Sequence, residues 1–217
     1  MPVDTNIALT TLELVKSELN ISDTSQDSYL TRQINVVSEK IANYCNRNFR
    51  KQTYNDEKYT GNDLLELNLD NYPITSVTEI KISDNEIELT DIEIESESGI
   101  LYYEKLFKSS GYVCGISRHK DQRIKNVTIT YEAGYQLPDQ VDRDLPYDLE
   151  DACINEIVNA YEHKGTASNL ESWTLDKATK KFTALEKVVD TETGFLLSTK
   201  SLLDSKYRRW IIWVLEI

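Results

Sequence analysis

The sequence predicts an α+β protein: an antiparallel helical hairpin or bundle of three main helices, carrying an inserted antiparallel β lobe and an extended C-terminal tail. Three observations predict it. Apolar residues recur at helical spacing before residue 50, the period drops to two between 51 and 135, and helical spacing returns at 145–164. The expected domains are therefore 1–50 with 136–165 as a helical core, 51–135 as the lobe, and 166–217 as a C-terminal extension and docking tail.

The first helix is expected over residues 10–20, with Thr10 and Glu13 as a capping box and Leu12, Val15 and Leu19 along one side. The polar link Asn20–Ser25 is short enough to make the next helix its neighbour. That second helix, Thr24 to Phe49, organises the chain. Leu30, Ile34, Val37, Ile41, Cys45 and Phe49 form a single stripe, and Thr24 with Asp27 gives a start signal. A third helix over Leu145–Lys164 offers the matching stripe Leu149, Cys153, Ile157 and Tyr161, widened by Ile154, Val158 and Ala160. Asp144 is its expected N-cap and Gly165 its stop.

Between these helices, Gln52–Thr60, Leu65–Leu69, Ser76–Ile82, Glu86–Glu95, Ile100–Tyr103 and Asn126–Tyr131 read as half-buried strands. Turn formers such as Gly61-Asn62-Asp63 and Ser98-Gly99 separate them, and Gly134 supplies a positive φ after the last. Beyond 166 the pattern weakens. Leu175–Val189 has patchy helical spacing, and Ser198–Tyr207 suits one further short helix. The final stretch from Tyr207 to Ile217 contains the most apolar decamer of the chain. Either it completes the protein's own domain or it inserts into another protein.

Composition narrows the function. The formal charge is −13 over 217 residues, opposite to the balance of a protein that grips nucleic acid by neutralising phosphates. No run approaches the ~18 apolar residues of a membrane span, and the N-terminus shows no basic leader followed by an apolar stretch. Cys45, Cys114 and Cys153 are odd in number and widely spread. Cys45 and Cys153 fall on helical stripes, as small buried hydrophobes do in a reducing cytoplasm. The only histidines are His119 and His163, no phosphate loop, nucleophile elbow or zinc motif is present, and neither a catalytic site nor a cofactor or metal is expected.

Charge is unevenly placed. Residues 84–97 hold seven acids and no base, including Glu86, Glu88, Glu93 and Glu95. Residues 105–125 hold six bases, including Arg118, Lys120, Arg123 and Lys125, against the single acid Asp121. One reading is a solvated hairpin beside a basic loop. The other is that the basic loop of one subunit meets the acidic hairpin of the next in a closed ring.

The order of parts resembles the head–tail connector (adaptor, or head-completion) family of tailed bacteriophages. It is carried by Ile41-Ala-Asn-Tyr-Cys-Asn-Arg-Asn-Phe49, the Thr53–Gly61 strand, Tyr72-Pro-Ile-Thr-Ser-Val77, Thr128-Ile-Thr-Tyr-Glu-Ala-Gly-Tyr135 and Leu202-Leu-Asp-Ser-Lys-Tyr-Arg-Arg209. The resemblance covers residues 8–163 and the piece near the end. It implies a structural virion protein at the head–tail junction, made in the host cytoplasm. Its subunits would form a ring, commonly dodecameric, between the portal protein and a stopper or tail-completion protein, with no membrane role. On that reading Trp210, Ile211, Ile212, Trp213, Val214 and Leu215 enter the portal as an apolar plug, with Tyr207, Arg208 and Arg209 at its edge. Asp142, Asp144, Asp148, Glu150 and Asp151 would line a lumen that repels DNA phosphates, so that DNA passes without specific binding. Two alternatives stay open. One is a tail-terminator or stopper-type joint, against which the helix pair speaks. The other is a carbohydrate- or receptor-binding lobe using Tyr54, Tyr59, Tyr102 and Tyr103.

Overall fold

A computed structural model describes residues 2–108, 125–164, 172–175, 178–181 and 189–208. It divides into two compact units, Met1–Asn46 with Leu137–Ile217, and Arg47–Gln136. The fold is α+β with antiparallel sheets, and the described residues hold four α-helices where the sequence pattern counts three main ones.

The helical unit begins with α1 (Leu12–Glu18). Its N-cap is Thr11, whose hydroxyl accepts from the Leu14 amide, rather than the predicted Thr10. Helix α2 (Asp27–Cys45) is shorter than expected at both ends. Asp23 accepts from the amide and hydroxyl of Ser25, a local turn that delays the helix and leaves Thr24 outside it. At the other end Asn46 adopts a left-handed conformation with φ 52° and stops the helix. Phe49 is buried, but in the other unit. The rest of the stripe holds: Leu30, Ile34, Val37, Ile41 and Cys45 are all buried.

Helix α3 (Tyr147–Glu162) packs on α2. Gln26 meets Lys164, Tyr29 meets Ala160 and Tyr161, and Ser38 meets Cys153. The rising numbers on one helix pair with falling numbers on the other, so the two run antiparallel. Each fully buried Leu or Ile on this seam contributes about 1.5–3 kcal/mol. Pro146 occupies the N-cap of α3, not Asp144. Gly165 lies outside the described residues. Within the stretch Leu175–Val189, read as patchily helical, strand β9 (Ala178–Lys181) pairs with β8 (Ser172–Leu175) as an antiparallel hairpin, while 176–177 and 182–188 lie outside the described residues. Helix α4 (Leu197–Leu202) continues into a π turn, Leu203–Tyr207.

Among the described residues the second unit holds seven strands: β1 (Gln52–Tyr59), β2 (Glu66–Asn68), β3 (Ile74–Ile82), β4 (Asn85–Glu86), β5 (Ile92–Glu95), β6 (Ile100–Tyr103) and β7 (Val127–Ala133). They form a four-stranded sheet, β1-β7-β3-β4, and a three-stranded sheet, β2-β6-β5. The predicted strand Glu86–Glu95 is broken by a 3-10 turn at Leu89–Asp91. In β7 every second residue, Val127, Ile129, Tyr131 and Ala133, is buried, as a strand flanked on both sides requires. Where the chain enters and leaves this unit, Tyr135 and Phe49, then Lys51 and Tyr135, exchange backbone bonds of 2.7 Å. Gly134 permits that approach: its φ is +107°, and a Cβ there would stand 2.5 Å from the Arg50 carbonyl oxygen.

Candidate functional site

Two places carry the residues singled out for assembly. On the helical unit, the segment 189–208 is fastened by carboxylates. Glu156 accepts from the Leu196 amide at 2.6 Å, and Lys40 donates to the Gly194 carbonyl at 2.7 Å while lying over the Phe195 ring. Burial pushes the Glu156 carboxyl up, and burial likewise pulls the Lys40 ammonium down. Further on, the Tyr44 hydroxyl donates to Asp204 at 2.7 Å, and Arg208 lies 3.5 Å from the same carboxylate and over the Tyr44 ring. Lys206 donates to one oxygen of Asp148 at 2.5 Å, and the Tyr207 hydroxyl donates to the other. Burial works to raise the Asp148 carboxyl, yet Lys206 and Tyr207 outweigh it and hold the group below its ordinary value.

These contacts settle where several singled-out residues lie. Tyr207 is buried and bonded within its own unit, so it is part of the anchor and not a free docking residue. Arg208 is half-buried on the same anchor. Arg209, Trp210, Ile211, Ile212, Trp213, Val214 and Leu215 lie outside the described residues. Of the five acids assigned to a lumen, Glu150 is buried and paired with Arg143 at 2.7 Å, and Asp148 is taken by Lys206 and Tyr207. Asp142, Asp144 and Asp151 are exposed, Asp151 accepting from Asn155.

On the lobe, Glu86, Glu88, Glu93 and Glu95 are all exposed, as is Lys125; Arg118, Lys120 and Arg123, with Cys114 and His119, lie outside the described residues. In the three-stranded sheet Glu66, Tyr102 and Glu93 are direct cross-strand partners and so share one face, and the Tyr102 hydroxyl donates to Glu95 at 3.3 Å. Beside it opens a groove of about 460 Å³, lined by Leu65, Asp91, Glu93, Tyr102, Tyr103 and Lys105 among others. Lys105 pairs with Asp91 at 2.9 Å, so the start of the basic stretch already touches the acidic hairpin of its own chain. Sequence reasoning missed this groove. Its lining residue Leu65 is exposed and sits just before a short strand, where no periodicity announces it.

The tyrosines proposed for a sugar-binding face are not arranged as one. Tyr59 and Tyr103 are buried, and Tyr54 stacks on Tyr131 with centroids 5.1 Å apart. The Tyr131 hydroxyl donates to Glu57, and the Tyr59 hydroxyl stands 2.7 Å from the same carboxylate and 3.0 Å from the Tyr131 oxygen, with its one hydrogen serving one of the two; burial raises both phenols far above their ordinary values. The lobe uses these rings internally; only Tyr102 of the four lies on the partly exposed outer face.

Among the described residues there is no group of three or more metal-ligating side chains, and no helix is long and apolar enough to cross a membrane. Cys45 and Cys153 are both buried, and burial pushes the Cys153 thiol up to about 12. Residues 8–183 match the family model described as head completion protein. The chain belongs to that family, the head–tail connectors of bacteriophages, whose members are structural proteins of the virion. A search of the curated proteins finds no match. Among solved structures, the chain is similar to one from the neck of an empty gene transfer agent (GTA) particle computed with C6 symmetry. The identity is 13%, the TM-score 0.43, and the match covers 78% of this chain and 86% of that one. It is also similar to a chain of the virion of the native GTA particle, with 10% identity, a TM-score of 0.45, and 94% and 92% covered. A third is from the neck of the native GTA particle computed with C12 symmetry, with 14% identity, a TM-score of 0.38, and 77% and 87% covered.

Proposed function

We propose that the protein is a non-enzymatic ring component that joins the portal vertex of a phage head to the tail or stopper and leaves a passage for DNA. The family membership supports the class of function. The observation that carries the mechanism is the anchor on residues 203–208, where Asp148 holds Lys206 and Tyr207 and Tyr44 holds Asp204 in the last described turn just before the most apolar segment of the sequence. In this reading Trp210, Ile211, Ile212, Trp213, Val214 and Leu215 insert into the portal, with Arg208 and Arg209 at the rim of that contact. Tyr207 serves as the fixed point from which the segment leaves. The twelve-fold ring, the portal and stopper as neighbours, synthesis in the host cytoplasm, and a lumen bearing Asp142, Asp144 and Asp151 belong to the same proposal. Exposed carboxylates suit such a lumen because they repel phosphates. Between subunits, Glu86, Glu88, Glu93 and Glu95 would face Arg118, Lys120, Arg123 and Lys125.

The test removes residues 209–217, leaving the anchor intact. The truncated chain should keep its helical content and thermal transition and lose attachment to portal-bearing heads by more than about tenfold. Undiminished attachment overturns the docking role.

A further inference from the structure

The lobe's groove has no assigned occupant, and its chemistry is specific. Its interior offers Leu65, Tyr102 and Tyr103, its margin carries Asp91, Glu93 and, across the sheet, Glu66 and Glu95, and among the described residues its one lining cation is Lys105, already held by Asp91. Five exposed large apolar residues, Leu64, Leu65, Leu89, Ile94 and Leu106, gather on the segments around it. An occupant must therefore bring apolar or aromatic side chains flanked by cations. Two copies of a chain of net charge −13 repel one another at long range, so any contact between them has to be locally complementary. The sequence contains one stretch of that composition in the lobe: within 109–124 it places Tyr112, Val113 and Ile116 beside Arg118, Lys120 and Arg123.

We propose that the groove bounded by Leu65, Tyr102 and Glu93 is the receptor for residues 109–124 of a second copy of the chain. The apolar side chains fill the groove and the cations meet its carboxylate margin. The inference rests on the ring reading and deepens it: the inter-subunit contact gains an apolar centre, and the charges become its rim. The Lys105–Asp91 pair shows the chemistry on a small scale, an ammonium from the basic stretch seated on a groove carboxylate. A rim of this kind sets orientation and association rate, while the buried apolar centre sets the lifetime of the contact.

The test uses the full-length chain without heads, so it is independent of the truncation experiment, which reads portal attachment alone. A synthetic peptide of residues 109–125, its cysteine replaced by serine, is titrated against the full-length protein. It should bind and weaken as salt rises. Leu65→Asp or Glu93→Lys, both at exposed positions that leave the fold intact by circular dichroism, should reduce its affinity by about tenfold or more. No binding, or binding indifferent to both substitutions, overturns the proposal. In a second arm, tagged Tyr102→Cys, Cys114→Ser protein is mixed with untagged protein that retains Cys114 and oxidised. The expected product is a disulfide between position 102 of the tagged chain and Cys114 of the untagged one. Absence of that product, with Tyr102→Cys protein that keeps its own Cys114 giving an intrachain bond instead, shows that the segment serves its own groove and overturns the assignment to a second copy.

Discussion

The helical unit and the β lobe solve the problem of a small core in different ways. In the helical unit, polar and charged side chains reach between segments far apart in the chain: Tyr44 to Asp204 spans 160 positions, Lys40 to the Gly194 carbonyl spans 154, and Glu156 holds the Leu196 amide across 40. In the lobe, continuous antiparallel pairing of one stretch of chain does the work, and its polar atoms are consumed internally by Tyr59, Tyr131 and Glu57. The difference separates what can be released from what cannot. The segment 189–208 is held by these bonds together with the buried Phe195 and Leu203, so its outer polar contacts can be loosened before that apolar seat gives way, whereas the lobe's centre opens only by losing its sheets.

The sharpest way to break that comparison is a cavity in the lobe. Ile129→Ala removes a fully buried side chain from the central strand and should cost about 3 kcal/mol. If the units unfold separately, the near-ultraviolet tyrosine signal should shift in urea while the helical signal at its own midpoint stays. A common shift would merge the two regions into one cooperative body. Next in size is Arg47, whose buried guanidinium finds no hydrogen-bond partner and lies 3.5 Å from the Tyr72 ring centre, with Phe49 and Tyr135 also within 6.0 Å. Aromatic faces stand in for the missing acceptors. Arg47→Ala should destabilise by about 2 kcal/mol, and Arg47→Lys by nearly as much because the planar stacking is lost. A neutral Arg47→Lys in thermal denaturation would show that charge alone matters there.

Asp148→Asn acts on the anchor, and solvent screening limits its expected cost to about 1 kcal/mol. Hydrogen exchange at 203–208 should rise while α2 stays protected. The pH dependence has a definite sign. Because the folded carboxyl sits below its ordinary 3.8, its stabilising contribution is complete above that value and disappears as pH falls through the depressed one. Acid should therefore loosen 203–208 in the wild type, and in Asp148→Asn only the part of that response that Asp204, also held, despite burial, below its ordinary value by Tyr44, Lys200 and Arg208, supplies should remain. The smallest effect is expected at Glu156, whose carboxyl is raised by burial against the pull of the Leu196 amide, Thr199 and Lys40. For a raised carboxyl the contribution is full below the ordinary 4.5 and is lost as pH climbs through the raised value. Glu156→Gln should thus stay within about 1 kcal/mol of the wild type at neutral pH and flatten the stability profile over the mildly acidic range. A steeper profile would contradict the assignment.

Much of the backbone was legible in the residues. The stripe of α2 from Leu30 to Cys45 and that of α3 from Leu149 to Ile157 follow helical spacing because one apolar face must be covered, and both are buried as read. Boundaries were less legible. Thr24 and Asp27 have the pattern of a cap, but Asp23 closes a turn on Ser25 first, and Asn46, not a glycine, ends the helix. The alternation from Glu86 to Glu95 continues unbroken through residues that the chain bends into a 3-10 turn, since a turn with apolar and acidic residues leaves the period undisturbed. Of the candidate site, the acidic hairpin was visible and the groove beside it was not.

Periodicity, by itself, determined that this chain alternates helical and pleated segments, in what order, and which faces are apolar, because burial of a face depends only on spacing along the local backbone. The fate of individual charges was decided by the tertiary structure. Glu150 and Glu156 look like surface acids of α3 until Arg143 and the Leu196 amide arrive from elsewhere in the chain to receive them, and Tyr207 looks like part of the apolar end until Asp148 claims it. A carboxylate is withdrawn from water only where a donor stands opposite, and the identity of that donor is a property of the folded chain.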